Sequence, residues 1–191
     1  MSEQKIWWSS DLHFEHKKIV QYTNRPWTQE QNTEKLIERW NDRVGLMDDV
    51  YHLGDFAFMW PKQINKLVSI INELNGKIHF IKGNHCDDRL WRMIEDRNIP
   101  HVVWVKDYHE LTIEGQHIVM CHYPMAQWNR AHHGTFMLHG HCHGSYQGPG
   151  KILDVGIDNH PDHQMWSYEE ICAYMKDRQY KGVSHHEEGG R

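Results

Sequence analysis

The chain has 191 residues, enough for one domain, and its 39% hydrophobic and 25% charged residues exclude collagen-like, coiled-coil and wholly disordered classes. Lysine and arginine total 21 against 26 aspartate and glutamate, and the net charge of −5 argues against a protein that tracks a nucleic-acid backbone by bulk charge. Histidine, at 18, is in excess and points toward metal or proton chemistry.

The opening MSEQKIWWSSD carries Glu3, Lys5 and Asp11 where a signal peptide needs an uninterrupted apolar segment. Lys5–Ser9 predicts a first strand. Leu36, Ile37, Trp40 and Val44 then share one helical face, and Asp49–Leu53 predicts a second strand. Behind Pro61, the residues Ile64, Leu67, Val68, Ile71 and Leu74 predict another helix, followed by a strand at Lys77–Ile81 and a helix at Asp87–Arg97. Across Val102–Met120 the pattern alternates and is broken by Glu114-Gly115, which predicts an antiparallel hairpin ending in the strand Gln116–Met120. Strands at Phe136–Leu138 and Lys151–Gly156 follow, and Ser167-Tyr-Glu-Glu reads as a helix N-cap with acids in the first turn.

Short apolar runs alternating with amphipathic helices predict an α/β fold with a mixed, largely buried sheet. One domain over 1–178 is expected, with a polar tail at 179–191 that contains His185 and His186. No apolar run approaches the roughly 20 residues of a membrane span. Cys86, Cys121, Cys142 and Cys172 are too widely spaced for a CxxC pair and read as reduced thiols, so a cytoplasmic location is expected.

Five predicted strands each lead to potential metal ligands. These are Asp11 and His13, then Gly54-Asp55, Gly83-Asn84-His85, His122, and finally His141 with His143. Ligands of open α/β sheets gather beyond the carboxyl ends of strands, so the five ends can converge. Carboxylates, imidazoles and an amide oxygen make a mixed N/O set that suits Mn, Fe, Zn, Co or Ni. Leaving His85 aside, seven candidates exceed one tetrahedral ion, whereas two ions sharing a carboxylate use them all. Gly54, Gly83 and Gly140 permit close backbone approach there.

Asp11-Leu-His13, Gly54-Asp55, Gly83-Asn84-His85, His122 and Gly140-His141-Cys-His143 resemble the five ordered motifs of the calcineurin-like metallophosphoesterases. Ser10-Asp11-Leu12-His13-Phe14 followed by His16 is similar to the small stand-alone bacterial and phage members. The resemblance implies two packed mixed β-sheets flanked by helices, with a dinuclear site at one edge. Asp11, His13 and His143 would bind one ion and Asn84, His122 and His141 the other, with Asp55 bridging. His85 would contact the phosphate or protonate the leaving oxygen.

The implied activity is attack of a metal-bound hydroxide on a small nucleotide-type or other phosphodiester, with two divalent ions, manganese first, as cofactors. Monoester hydrolysis, nuclease action and a protein-binding module on the same fold are the alternatives. A small phosphorylated substrate is expected, with neither a membrane nor duplex DNA as partner. Cys86 stands where many relatives have an acid after Gly-Asn-His, with Asp87 one place later, so the acid that orients the histidine is absent or shifted. Phe56-Ala57-Phe58 lacks both the Asp-Arg-Gly of the Ser/Thr protein phosphatases and the tyrosine of the purple acid phosphatases.

Outside these motifs, Trp7, Trp8, Trp40 and Trp91 are expected in the core, and His52 and His79 as hydrogen-bonded core histidines. Arg25 is expected on the surface, and His132 and His133 in an ordinary loop. His16 either lines the pocket or caps a short helix. Cys121 and Cys142 neighbour candidate ligands and should point away from them.

Overall fold

A computed structural model describes residues 4–180, so His185 and His186 and nearly all of the expected tail lie outside the described residues. Gln179 precedes Tyr180, whose ring packs 5.6 Å from that of Trp128, so ordered packing runs slightly past the expected boundary at 178.

The chain builds two mixed sheets. The first contains β1 (Ile6–Ser9), β2 (Asp49–Leu53), β3 (Lys77–Ile81), β4 (Val102–Lys106) and β9 (Trp166–Ser167), in the order β4-β3-β2-β1-β9. Its first four strands are parallel and β9 is antiparallel to β1. The second, in the order β5-β6-β7-β8, contains β5 (Tyr108–Ile113), β6 (Gln116–Cys121), β7 (Phe136–His139) and β8 (Ile152–Asp154). Here β5 and β6 form the antiparallel hairpin around Glu114-Gly115, and β6, β7 and β8 run parallel.

The predicted hairpin is therefore shorter than the alternating stretch. Val102–Lys106 joins β3 in the other sheet, because alternation reports a half-buried strand without naming its partner.

Side chains alternate across β1, and the two faces feed different cores. After a short helix α1 (Ile19–Thr23) come α2 (Asn32–Arg43), α3 (Ile64–Glu73) and α4 (Asp88–Arg97), and Trp7 points to this helix layer, where it joins Leu36, Trp40, Leu67, Ile71 and Trp91. Trp8 points between the sheets, joining Leu53, Ile81, Met120, Leu138 and Leu153. A last helix, Tyr168–Met175, closes the end of that inter-sheet core with Ile171 and Met175. It starts with the expected cap: Ser167 Oγ accepts from the Glu170 amide at 3.2 Å and the Glu170 carboxylate accepts from the Ser167 amide at 2.8 Å. No helix among the described residues is long and apolar enough to cross a membrane.

Of the two core histidines, His79 is hydrogen-bonded as expected, to Asp49 Oδ1 at 2.8 Å. His52 departs from the expectation. It is fully buried among the rings of Trp40, Phe56 and Phe80, and neither ring nitrogen has a hydrogen-bond partner. Burial pushes its pKa down to about 3, so the ring is neutral in the fold while the unfolded chain takes up a proton near 6.5.

The resulting stability contribution is complete above pH 6.5 and is lost as the pH falls from there toward 3, on the order of 5 kcal/mol across the window. His52→Phe is expected to flatten that acid limb. Urea denaturation at pH 7, 5.5 and 4 should show the variant gaining on the parent at each step, and parallel curves would refute the assignment.

Candidate metal centre

The parallel strands β1, β2 and β3 end at one edge of their sheet, and β6 and β7 end facing it, so five loops meet there. The loops are tied to one another through the backbone. The Asp11 amide donates to the Gly54 carbonyl and the His13 amide to the Asp55 carbonyl, both at 3.0 Å. The Asp55 and Asp11 carboxylates in turn accept amide hydrogen bonds from His85 at 2.8 Å and His141 at 2.9 Å.

This folding-back is sharp. Asp11, His13, Asp55, His141 and His143 all have φ between 46° and 71°, the left-handed region that costs ordinary residues of order 1–3 kcal/mol each. Such a conformation persists only where the surroundings enforce it. The glycines make room for it: a Cβ on Gly83 would lie 2.2 Å from the amide nitrogen and Oδ1 of Asp55, and one on Gly140 would lie 2.5 Å from Asp11 Oδ2.

Two groups of potential ligand atoms result. Asp11, His13 and His143 offer atoms within 4.8 Å of one another, as do Asp55, His122 and His141. Asp55 Oδ2 lies between them, 3.7 Å from His13 Nε2 and 3.4 Å from His122 Nε2. Asn84 Oδ1 is 3.0 Å from His122 Nε2, and His85 Nε2 is 4.0 Å from Asp55 Oδ2. All eight predicted site residues are thus brought to one place. Asp11, His13, Asp55 and His122 are buried, whereas Asn84, His85 and His141 face solvent.

Ionisable groups crowd here: Asp11 Oδ1 lies 3.8 Å from His13 Nε2 and 3.9 Å from His143 Nε2. Burial pushes the Asp11 carboxyl up to about 7 and the His13 imidazole down to about 3. Burial also opposes ionisation of Asp55, but hydrogen bonding and charge from His122, with the His85 amide, hold its pKa well below the usual carboxylate range.

Asp11 Oδ1 and both ring nitrogens of His13 are buried with no hydrogen-bond partner. Buried polar atoms are ordinarily paired, and a carboxylate oxygen beside unpartnered imidazole nitrogens is the donor set of a divalent ion of borderline hardness. The residues fit a metal.

Arg25, expected on the surface, is buried and belongs to the support of this centre. Its guanidinium forks onto Asp158 at 2.7 and 3.0 Å and donates to the Asp11 and Leu12 carbonyls and to Asn32 Oδ1. Asp158 Oδ2 lies 2.8 Å from His143 Nδ1, which leaves Nε2 directed toward Asp11. Burial opposes ionisation of Asp158, but His143 and Arg25 bring its pKa down to about 2. Nothing in the local sequence marks Asp158, because its partner Arg25 lies 133 residues away.

Asp87 does not take the role of the missing acid. It caps α4, accepting from the Arg89 amide at 2.8 Å, and pairs with the Arg89 side chain. Cys86 turns inward, its thiol donating to the Ala57 carbonyl, and burial pushes its pKa up to about 12.

His16 lines the pocket, with its ring 5.7 Å from His13 and 4.9 Å from Phe58. His132 and His133 are exposed in a short turn. Cys121 packs on the outer face of the second sheet. Cys142 sits with His139 and Asp154 rather than with the ligands beside it in sequence.

Residues 5–151 match the family model described as calcineurin-like phosphoesterase superfamily domain. Protein MJ1445 of Methanocaldococcus jannaschii is 32% identical over 148 residues, which span 76% of this chain and 73% of that protein. The Gene 66 protein of Mycobacterium phage D29 is 29% identical over 198 aligned residues, covering 90% of this chain and 96% of its own. Among solved structures, protein AQ665 of Aquifex aeolicus aligns with a TM-score of 0.68 at 19% identity, over 90% of this chain and 100% of its own, a likeness of fold.

Proposed function

Because this chain belongs to the calcineurin-like phosphoesterase superfamily and is therefore a phosphoester hydrolase, we propose that it is a dinuclear, metal-dependent phosphodiesterase for small phosphorylated substrates. The observation that carries this reading is the pair of three-residue groups meeting at Asp55, with buried unpartnered atoms on Asp11 and His13. Asp11, His13 and His143 would hold one ion, Asn84, His122 and His141 the other, and Asp55 both. The mixed N/O donor set accepts Mn, Fe, Zn, Ni or Co, and manganese is the first candidate on the family resemblance alone. Divalent ions bound there supply Lewis acidity to the phosphoryl oxygens and bring a water's pKa from 15.7 to about 7.

The chain's own residues do the rest. Asp55 fixes the loop that carries His85 by accepting its amide hydrogen bond. The His85 side chain is 43% exposed on the open side of Asp55, where it meets the departing oxygen and protonates it. Arg25 is committed to Asp158 and to backbone carbonyls, and among the described residues no lysine or arginine lines the cleft of Asn84 and His85. A diester, with one negative charge, asks for less neutralisation at that point than a monoester dianion. The four free cysteines support a cytoplasmic location.

Turnover of a chromogenic diester and of the matching monoester, each with added Mn²⁺, tests the assignment. The diester is expected to react faster by about tenfold or more. Preference for the monoester overturns the diester assignment, and inactivity on both with metal bound counts against hydrolysis.

A further inference from the structure

Three exposed aromatic side chains stand beside the centre. Tyr22 is 66% exposed, Trp60 56% and Phe58 39%, in a chain that buries Trp7, Trp8, Trp40 and Trp91. Together with His16, Lys18 and Lys62 they line a cleft of about 630 Å³. Phe58 and Trp60 also wall a second cleft of about 290 Å³ that reaches Asn84 and His85. Ring contacts join the clefts to the centre: His16 packs against Phe58, Tyr22 and His13, and Phe58 lies 5.7 Å from His85.

The charge of the larger cleft is opposite to that of the whole protein. Lys17, Lys18 and Lys62 line it, and among the described residues no salt bridge engages any of them. Its one lining acid, Glu15, is paired with Lys66 at 2.5 Å. Free ammonium groups around open aromatic faces recognise a flat π-system joined to a phosphate, the combination that single-stranded nucleotides present. A cleft of this size is in the range for a ligand of that bulk, about 300–1,000 Å³.

We propose that this cleft binds the leaving-side nucleotide of a dinucleotide-type phosphodiester, with its base stacked on Phe58, Trp60 or Tyr22 and a second, terminal phosphate on Lys18 and Lys62. The inference rests on the phosphodiesterase reading above. In the hydrolysis it serves, the oxygen of water bonds to phosphorus and the P–O bond to the nucleoside in the cleft breaks. That nucleoside oxygen takes a proton from His85, the phosphate keeps the water's oxygen and one of its protons, and the proton that water releases on attack replaces the one His85 gave.

The test is calorimetric titration of the Mn²⁺-loaded protein with a 5′-phosphorylated adenine dinucleotide in which the 3′ ester oxygen of the phosphorylated nucleoside, the leaving oxygen, is replaced by a methylene group. Two controls are its abasic analogue of equal charge and the same dinucleotide without the terminal phosphate. Each control is expected to bind more weakly, by about 5- to 100-fold for the lost base. Trp60→Ala and Lys62→Glu should each lower affinity for the full ligand by about tenfold, and thermal melts check that these exposed positions leave the fold intact. Equal affinity for the base-bearing and abasic ligands, or undiminished affinity in both variants, overturns the proposal even if diesters are hydrolysed. Normal base-dependent binding without hydrolysis of the natural dinucleotide would leave the cleft assigned and sink the phosphodiesterase reading instead.

Discussion

Arg25→Ala is expected to lower the unfolding free energy by about 3–5 kcal/mol and to weaken metal binding by about 10- to 100-fold. The guanidinium uses five hydrogen bonds, two on Asp158 and three on Leu12, Asp11 and Asn32, with its side chain fully buried. Truncation leaves the Asp158 carboxylate, 2% exposed, without its cation, and a buried charge stripped of its partner is the costly case. It also removes the donors that hold two carbonyls of the loop bearing Asp11 and His13, a loop already in left-handed backbone conformation.

The effect on metal follows from Asp158, which sets the orientation of the His143 ring. Urea unfolding and Mn²⁺ titration of Arg25→Ala, Asp158→Asn and the double variant resolve the two contributions. The double variant should cost less than the sum of the single ones, because each single change strands the other group. A cost below about 1 kcal/mol for Arg25→Ala would remove the pair from the list of what holds this fold.

The second expected result separates binding from chemistry. Asp55→Asn should lose both metal content and activity, since Asp55 Oδ2 is, among the described residues, the one carboxylate oxygen within 4 Å of His13, His85 and His122 together. His85→Ala should retain metal, because its ring is exposed and belongs to neither three-residue group. Its turnover should fall by about 10²–10⁴ on a substrate with a poor leaving group, and by less on one whose leaving oxygen needs no proton. Metal analysis of the purified variants and the two turnover numbers are the measurements. Parental activity of His85→Ala on the poor leaving group would show that another group carries the proton.

The support around His85 differs from what its neighbours in sequence suggest. With Asp87 committed to capping α4 and Cys86 bonded to Ala57, the histidine is positioned by its own amide on Asp55 and by the rings of His13 and Phe58. The aromatic wall at Phe58 therefore serves His85, the proposed proton donor, as well as the proposed base-binding cleft. This shared wall is why the binding test uses Trp60 and Lys62 rather than Phe58.

Much of the centre was legible in the chain because each candidate ligand follows a buried parallel strand within a few residues. Strand, turn and ligand are local in sequence, and parallel strands deliver their ends to one edge whatever the intervening helices do. The same locality makes the cap of the last helix and the core tryptophans readable. Where a residue's role depends on what the rest of the chain packs around it, its sequence neighbours do not report it. Arg25 resembled a loop arginine, His52 a bonded core histidine, and Val102–Lys106 one arm of a hairpin.

What the amino-acid order determined by itself was therefore the chemical inventory at the strand ends and the periodic burial that makes the strands, both carried by neighbours a few residues apart. The tertiary structure alone decided which strand pairs with which, that Arg25 is buried against an acid 133 residues away, and that five of the eight candidate site residues adopt left-handed backbone. Those outcomes are long-range because a buried charge or a strained turn is tolerable only when partners from elsewhere in the chain compensate it.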